Sequence, residues 1–465
     1  MANKQETTEL GTESVVKLMV KFSIPAIIGM IVNMLYNVVD RIYIGNIPDV
    51  GGLAITGVGI TMPVTQIITG FGMLIGVGTC ASISLAFGRG QRLKAGKILG
   101  NGFTGIVIVS LLIAILGNMF AEQILTLFGA SQETLPYALD YMRPLFWGTL
   151  FNLFTFALNN SIRSDNNPKI SMYTMIIGAA INIILDPIFI FTWGLGIKGA
   201  AYATVLSQCV AGIWVLFYFT KSKKSSIKLT RESVRLEGKI MKEILMIGMA
   251  PFLMQLTSSV VTVVANKSLM AYGGDLAIGA MAIITSVSTM FIMPLFGINQ
   301  GAQPIIGYNY GAKNYDRVKE AYKYSLIASL VILCLSGCVI QLFPTAVVGM
   351  FNNDPELEQM TISGMRIFLF AIPIIGVQMS ASNYYQAIGK SKKATIISLS
   401  RHIIFMIPAF LILPKYFGLE GVWLAGPVAD ILAITISGIV IYFEIRGLGK
   451  EENVVESQSN TKKAA

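Results

Sequence analysis

Four polar side chains form a stripe near the start of the chain, inside an otherwise apolar stretch. Asn33, Tyr36, Asn37 and Asp40 lie at i, i+3, i+4 and i+7, so a helix places all four on one face. Hard cations prefer oxygen ligands, and an apolar environment favours the protonated form of a carboxyl group. The stripe therefore predicts a cation or proton site, with a local ion pair between Asp40 and Arg41 as the alternative.

A second polar group lies in a later apolar stretch. Asn182 precedes Asp186 by one helical turn, and Pro187 follows directly. Proline bends a helix and has no N–H to bond the carbonyl of Ile183. That carbonyl oxygen therefore joins the Asp186 carboxylate and the Asn182 amide as a third kind of oxygen ligand. A charge within a membrane-spanning helix costs about 2.5–3.5 kcal/mol, and such residues usually face a cavity or a partner. A purely structural role for Asp186 is the alternative.

The second half of the chain carries a weaker version of the first stripe. Gln255, Ser259, Thr262 and Asn266 repeat it, and Asn266 stands where Asp40 would be. Asp430, towards the middle of the last apolar stretch, has no assigned role. Ion coupling is therefore predicted to reside mainly in the first half.

Other motifs carry less chemistry. The run from Gly76 to Ala81 fits a dinucleotide-binding pattern, but it lies inside an apolar helix with no preceding strand, which excludes that function. His402, the only histidine, is interpreted as interfacial rather than as a proton relay. Cys334 and Cys338 share a helix face without a third metal ligand, so packing is expected and no structural metal site is predicted.

The elements that position these residues are long hydrophobic helices. The chain has 465 residues, of which 54% are hydrophobic and 13% charged, and its mean hydropathy is +0.66. About 20 apolar residues cross a hydrocarbon core of about 30 Å. Twelve spans are predicted, at Lys17–Ile44, Leu53–Phe87, Ile98–Phe120, Tyr137–Ile162, Ile170–Trp193, Ile197–Thr220, Ile244–Tyr272, Ile278–Tyr308, Tyr322–Phe343, Ile362–Ile388, Ala394–Leu413 and Val422–Phe443.

The charges alternate between the two sides of these spans. The net charge of +10 comes from short connectors on one side, whereas the opposite connectors hold mainly Asp and Glu. The positive-inside rule then places both termini in the cytoplasm and makes a lipid bilayer, not nucleic acid, the partner. The basic connectors contain Arg89, Arg92, Lys94, Lys97, Arg163, Lys169, Lys313, Arg317, Lys319, Lys323, Lys390, Lys392, Lys393 and Arg401. No cleavable signal peptide is expected.

The chain repeats itself at an offset of about 223 residues. Gly88 corresponds to Gly311, and Asn160 to Asn383. Two parallel six-helix lobes are therefore predicted, which typically rock about a site between them. The expected organisation is a first lobe (1–220), a basic linker (221–242), a second lobe (243–449) and a disordered tail (450–465).

A substrate cleft is predicted between the lobes. Tyr36 and Asn37 belong to the polar stripe, and Met62, Met290 and Met293 lie on helices expected to border the cleft. Methionine adapts to ligands of varied shape, although methionine in a core or against lipid is the commoner case.

The sequence resembles the MATE (multidrug and toxic compound extrusion) family, and most of all its MepA-like and DinF-like branch. The resemblance covers Lys17 to Phe443 and rests on Ile24-Pro25, Asn37-Val38-Val39-Asp40-Arg41, Asn160, Arg163 and Pro168, and Asn182, Asp186 and Pro187. The chain departs from the NorM-like branch, because it has no acidic residues deep in the second lobe apart from Asp430.

The resemblance implies an all-α fold of two six-helix lobes around a V-shaped cleft. It implies that Asp40 and Asp186 carry the coupling ion, with Asn182 as partner amide and Thr204 as a hydroxyl ligand. Asn160 matches the family's fourth-helix amide, with Asn159 as the alternative, and Pro25 matches a proline associated with bending.

The predicted function is multidrug efflux by alternating access, in which cationic or amphipathic small molecules leave against inward H+ or Na+. The protein is expected to act as a monomer, without a cofactor, in a bacterial-type inner membrane. The alternative is a flippase for lipid-linked precursors, which would need a more basic central cavity. Enzyme chemistry is not expected, because no nucleophile and base are paired in the sequence.

Overall fold

The computed structural model describes residues 9–48, 50–351 and 355–449, and this part of the chain is helical without a β-strand. The predicted disordered tail, residues 450–465, lies outside the described residues.

The first half forms six long helices, and each matches a predicted span to within a few residues. A π-helical turn interrupts the fourth helix, and another ends the fifth. The helices are α1 (Val15–Gly45), α2 (Gly51–Gly88), α3 (Arg92–Met119), α4 (Leu135–Leu153, continued by Phe154–Leu158 and Asn159–Ser164), α5 (Pro168–Thr192) and α6 (Gly196–Thr220).

The second half forms six further spans, although two pairs run on without a separate loop. Each of these pairs is joined at a kink formed by a non-helical glycine, Gly274 or Gly418, with φ of +66° and +58°, a conformation that glycine adopts without strain. These glycines divide α7 from α8 (Gly238–Gly311) and α11 from α12 (Ser391–Gly447). The other two spans are α9 (Tyr315–Leu342) and α10 (Pro355–Phe368 and Ile372–Ala387, bent by 51°).

The twelve-span prediction is confirmed. Eight helical runs are long and apolar enough to cross a membrane, and two of these contain two spans each. The bent α10 and the interrupted α4 complete the twelve. Large apolar side chains are exposed on these helices, among them Leu111 and Ile115 on α3 and Ile213 on α6. Such a surface is costly in water and is typical of contact with lipid.

The two lobes form a V. The membrane side that carries the start of α1 and the end of α12 is here called the terminal side. The lobes touch from that side to about mid-membrane, where Ser259 on α7 donates to Oε1 of Gln66 on α2. A Cβ on Gly70, Gly78 or Gly88 of α2 would meet the second lobe, whereas a Cβ on Gly52 or Gly59, towards the other end of α2, would meet nothing within 4 Å. The cleft therefore opens away from the terminal side.

Glycines make the closed end of the V. A Cβ on Gly248 of α7 would lie 1.7 Å from the carbonyl oxygen of Leu74 on α2. A Cβ on Gly88 would lie 1.9 Å from the carbonyl oxygen of Tyr308 on α8. Only glycine allows backbones to approach this closely, so these positions seal the lobes against each other.

The lobes are related by an internal repeat with an axis through this seal. Gly88 and Gly311 face each other, and Cys80 Sγ lies 3.6 Å from Oε1 of Gln303. Both pairs are separated by 223 residues, so each joins equivalent positions of the two halves.

The linker between the lobes is attached to the first lobe. Its non-helical part ends before Gly238, so residues 238–242, predicted as linker, already belong to α7. Asp165 accepts hydrogen bonds from the Tyr218 hydroxyl (2.7 Å) and the Ser226 amide (3.1 Å). Thr104 of α3 donates to the carbonyl of Val234 at 2.7 Å.

We expect Asp165→Ala to release the linker. Each net hydrogen bond contributes about 0.5–1.5 kcal/mol, more when one partner is charged, so two or more lost bonds should destabilise the attachment by roughly 2–3 kcal/mol. The measurement is limited trypsin digestion of purified protein, because Lys223 and Lys224 lie in the segment. Glu232→Ala, which removes an exposed carboxylate from the same linker, is the control; equal digestion of both variants would contradict the role of Asp165.

Candidate ion-coupling site

A hydrogen-bonded group of three side chains joins α5 to α6. Asn182 Nδ2 donates to Asp186 Oδ1 at 3.2 Å and to Thr204 Oγ1 at 3.3 Å. Asp186 is fully buried, and Asn182 and Thr204 are 1% and 8% exposed. The amide therefore bridges the carboxylate of one helix to the hydroxyl of the next.

Asp40 on α1 belongs to the same neighbourhood. It is 6% exposed, α1 packs against α5, and its carboxylate interacts electrostatically with Asp186. Tyr36 and Tyr141, from α1 and α4, interact with both aspartates. We call Asp40, Asp186, Asn182 and Thr204 the carboxylate cluster. Two negative charges placed together in a buried site favour binding of a proton or a cation.

The carboxylate cluster has oxygen atoms left to bind an ion. Within the described residues, Asp40 Oδ1, Asn182 Oδ1 and Asp186 Oδ2 are buried without a hydrogen-bond partner. Buried polar atoms are normally paired, so three unpaired oxygens in one neighbourhood indicate a ligand. A proton or Na+ fits this donor set, which consists of carboxylate, amide and hydroxyl oxygens.

Neither aspartate forms a salt bridge with another described residue. Arg41 interacts electrostatically with Asp40, as the ion-pair alternative expects, but the two form no salt bridge, and Arg41 Nη2 lies 3.9 Å from Met62 Sδ. The cluster carboxylates are thus not held by a fixed positive charge.

The two predicted prolines have different local effects. Pro187 ends the regular part of α5, and a π-helical turn (Ile188–Thr192) follows it. Such turns widen the hydrogen-bond ladder and are frequent at functional sites. In contrast, α1 continues as an α-helix through Pro25.

Asn160 lies apart from the hydrogen bonds of the cluster. Its Oδ1 accepts from Nη2 of Arg163 on the same helix, and its side chain lines a different space. Asn159, the alternative, donates to the Ser171 carbonyl at 3.1 Å. Neither amide bonds to the cluster in this conformation, so a coupling role for Asn160 stays a prediction.

The space that Asn160 lines is a cavity between the lobes, which we call the interlobe cavity. It measures about 110 Å³ and draws its walls from α2, α4, α7, α8, α10 and α11. Among the described residues, eight amide side chains and no formal charge line it. The amides are Asn160, Gln255, Asn299, Gln300, Gln303, Gln378, Asn383 and Gln386.

The predicted cleft residues do not line the interlobe cavity. Asn37 and Met62 are exposed on the open side of the V, and Tyr36 belongs beside the carboxylate cluster. Met290 and Met293 on α8 are half-buried. The methionines that do line the cavity are Met73, Met254 and Met379.

The family model named MatE matches residues 25–188 and 250–411, which together make up most of the chain and one segment in each lobe. The chain belongs to the MATE family. The Multidrug export protein MepA of Staphylococcus haemolyticus (strain JCSC1435) is 28% identical over 429 residues, covering 92% of this chain and 94% of the relative.

Solved MATE structures superimpose on nearly the whole chain. The MATE multidrug transporter DinF-BH, in a structure with a bound ligand, is 38% identical, with a TM-score of 0.87 and coverage of 94% of this chain and 98% of that one. The outward-facing conformation of a multidrug resistance MATE family transporter of the MOP superfamily is 26% identical, with a TM-score of 0.89 and coverage of 96% and 99%. The two-lobe, twelve-helix fold is therefore the MATE fold.

The second lobe of this MATE protein contains a buried ion pair. Arg401 Nε on α11 donates to Asp430 Oδ1 on α12 at 2.5 Å, and Asp430 is 3% exposed. Arg401 was placed in a connector by the sequence, but it lies in a π-helical segment (Ser400–Met406) inside α11. His402 in that segment is buried at 7% exposure, and its interpretation as interfacial stays a prediction. Asp430, unlike the cluster aspartates, is neutralised by a fixed partner.

Sequence reasoning missed several residues around the two sites. Tyr141 gave no signal, because an isolated tyrosine in an apolar helix is common. Arg163 was placed in a basic connector, whereas it ends α4 as a buried side chain. The amides of α8 and α10 did offer a signal, since Asn and Gln recur within one or two turns of each other in both spans.

Proposed function

We propose that this MATE protein exports several small cationic or amphipathic drugs by exchange for H+ or Na+. The single observation that supports coupling is the carboxylate cluster, whose buried oxygens lack partners and whose aspartates lack salt bridges within the described part of the chain. The export itself is supported by relatives named as multidrug exporters over nearly the full chain.

The basic connectors on the terminal side support an orientation with both termini in the cytoplasm. The V then opens outward and the glycine seal faces the cytoplasm. We propose that the protein acts as a monomer in a bacterial cytoplasmic membrane.

In the proposed cycle, the ion enters from the open side and neutralises Asp40 and Asp186. Loss of repulsion between the two carboxylates allows the first lobe to repack, which displaces the drug outward. The cluster then releases its ion once the lobes rock and the cytoplasmic side opens. A flippase for lipid-linked precursors receives little support, because no described Lys or Arg lines the interlobe cavity and a single one, Arg163, lies behind its wall.

The test of export is drug resistance in a bacterial host deleted for its own pumps. Expression should raise the minimal inhibitory concentrations of several chemically unrelated cationic dyes and lower their accumulation in cells. Asp40→Asn, expressed to the same level in the membrane, is the matched control and should confer no resistance. Unchanged accumulation with the wild-type protein would reject the proposed function.

A further inference from the structure

Arg163, the last basic residue of α4, is buried without a counter-charge among the described residues. It is 3% exposed, Nη2 donates to Asn160 Oδ1, and Nη1 has no hydrogen-bond partner in the same part of the chain. Among the described residues, the titratable group that interacts with it electrostatically is Cys80, not a carboxylate. Asp165, two residues on, bonds to Tyr218 and Ser226 instead.

An unpaired buried guanidinium needs an explanation. Arginine does not lose its proton in proteins, and a buried charge is destabilising unless an opposite charge accompanies it. Asp430 shows the usual solution in this chain, since its buried charge is paired with Arg401. Arg163 therefore has a binding capacity that no described side chain uses.

The unused guanidinium lies directly behind the wall of the interlobe cavity. Asn160, its hydrogen-bond partner, lines the cavity. From the opposite lobe comes Gln303, whose Oε1 contacts Cys80 Sγ and whose Nε2 is buried without a partner among the described residues. Since Cys80 interacts with both Arg163 and Gln303, two unused donors from different lobes lie near one cysteine.

The cavity has the size and chemistry for a small anion. Its volume of about 110 Å³ is well above the roughly 10–15 Å³ that one water molecule needs. Amide and guanidinium N–H groups donate to anions, and a planar carboxylate suits arginine in particular. No described carboxylate lines this cavity, so an anion would meet no formal negative charge in its walls.

We propose that Arg163, Asn160 and Gln303 form an anion-binding subsite of the interlobe cavity, which holds either free chloride or the carboxylate of a zwitterionic drug. The carboxylate case rests on the proposed export function. The subsite lies away from the carboxylate cluster, so the carboxylate of a zwitterion binds the Arg163 guanidinium while the ion-coupling aspartates stay free. Because the donors come from both lobes, binding also links the subsite to lobe separation.

The test compares two dyes that differ in one group, rhodamine 6G, a cationic ester, and its parent free acid, a zwitterion. Arg163→Gln should reduce transport of the free acid into proteoliposomes by about tenfold or more, because a charge-assisted hydrogen bond contributes on that scale. Transport of the ester should change less than about twofold. Arg163→Lys should restore part of the free-acid transport, and Gln303→Leu should weaken it without removing the charge.

Chloride is tested separately on purified protein in gluconate buffer. If free chloride is the ligand, added chloride should raise the melting temperature of the wild type but not that of Arg163→Gln. Arg143→Gln, which removes an exposed arginine from the same helix, is the control in both arms.

Two outcomes would overturn the subsite. The first is that the Arg163 and Arg143 variants have equal effects on the transport of both dyes and on the chloride response. The second is that Arg163→Gln, in a correctly folded protein, reduces transport of both dyes equally. Failure of the wild type to move rhodamine 6G would reject the export function alone. In that case, fluorescence polarisation of the free acid bound to wild type and Arg163→Gln, together with the chloride response, decides the subsite.

Discussion

Asp186→Asn should abolish drug accumulation against a gradient while leaving the fold intact. Asparagine keeps the shape of Asp186 and a hydrogen bond to Asn182, but it cannot exchange a proton and coordinates a cation weakly. An ion gradient equivalent to 100 mV supplies about 2.3 kcal/mol per ion exchanged, which corresponds to roughly a 40-fold drug gradient. We expect this gradient to fall to about onefold in the variant, measured as dye accumulation in everted vesicles.

The control for this prediction is Asp140→Asn. Asp140 carries a carboxylate on α4 of the same lobe, but it is part of an accessible ion pair with Lys198 at 3.3 Å. Its neutralisation should leave accumulation near the wild-type level, because accessible ion pairs contribute little. Retention of a steep gradient by Asp186→Asn, with expression and melting temperature unchanged, would remove Asp186 from the mechanism.

Gly248→Leu should prevent the lobes from closing on the terminal side. A Cβ at this position already meets the Leu74 carbonyl oxygen at 1.7 Å, so the leucine side chain forces α7 away from α2. Overpacking costs about 1–3 kcal/mol, which reduces the population of the closed seal by roughly 5- to 150-fold. We expect transport to fall by a similar factor, while the spacing between the terminal ends of the lobes increases.

The measurement is the distance between spin labels at Leu93 and Lys392, two exposed residues at the terminal ends of α3 and α11, in a variant without the four native cysteines. Gly59→Leu is the control, because no atom lies within 4 Å of a Cβ added to Gly59 in the same α2. An unchanged label distance in Gly248→Leu would show that the glycine contact does not hold the lobes together.

Most of the fold was predictable from the sequence because membrane helices must satisfy their backbone hydrogen bonds internally. Long apolar runs therefore identify the membrane-spanning helices directly, and the charge of each connector indicates on which side of the membrane it lies. Helix ends were less accurate. Gly274 and Gly418 allow helical runs to continue through sharp turns, and such conformations leave no trace in hydropathy.

The site was predictable in part. Asp186 and Asn182 are one turn apart, so their proximity follows from the sequence, whereas the approach of Asp40 requires the packing of α1 on α5. The surroundings of Asn160 and Arg163 were not predictable for the same reason, because they depend on how the helices pack. Whether a basic residue at a helix end points to water or into the protein depends on the neighbouring lobe, which local sequence does not describe.

The most direct test of ion coupling measures drug transport in proteoliposomes under one imposed gradient at a time, either Na+ at equal pH or pH at equal Na+. We expect that one of these gradients drives uphill drug transport, that drug in turn drives movement of the same ion, and that Asp40→Asn and Asp186→Asn lose both effects. Uphill drug transport that is independent of both gradients, or ion movement that persists in both variants, would contradict ion coupling at these aspartates.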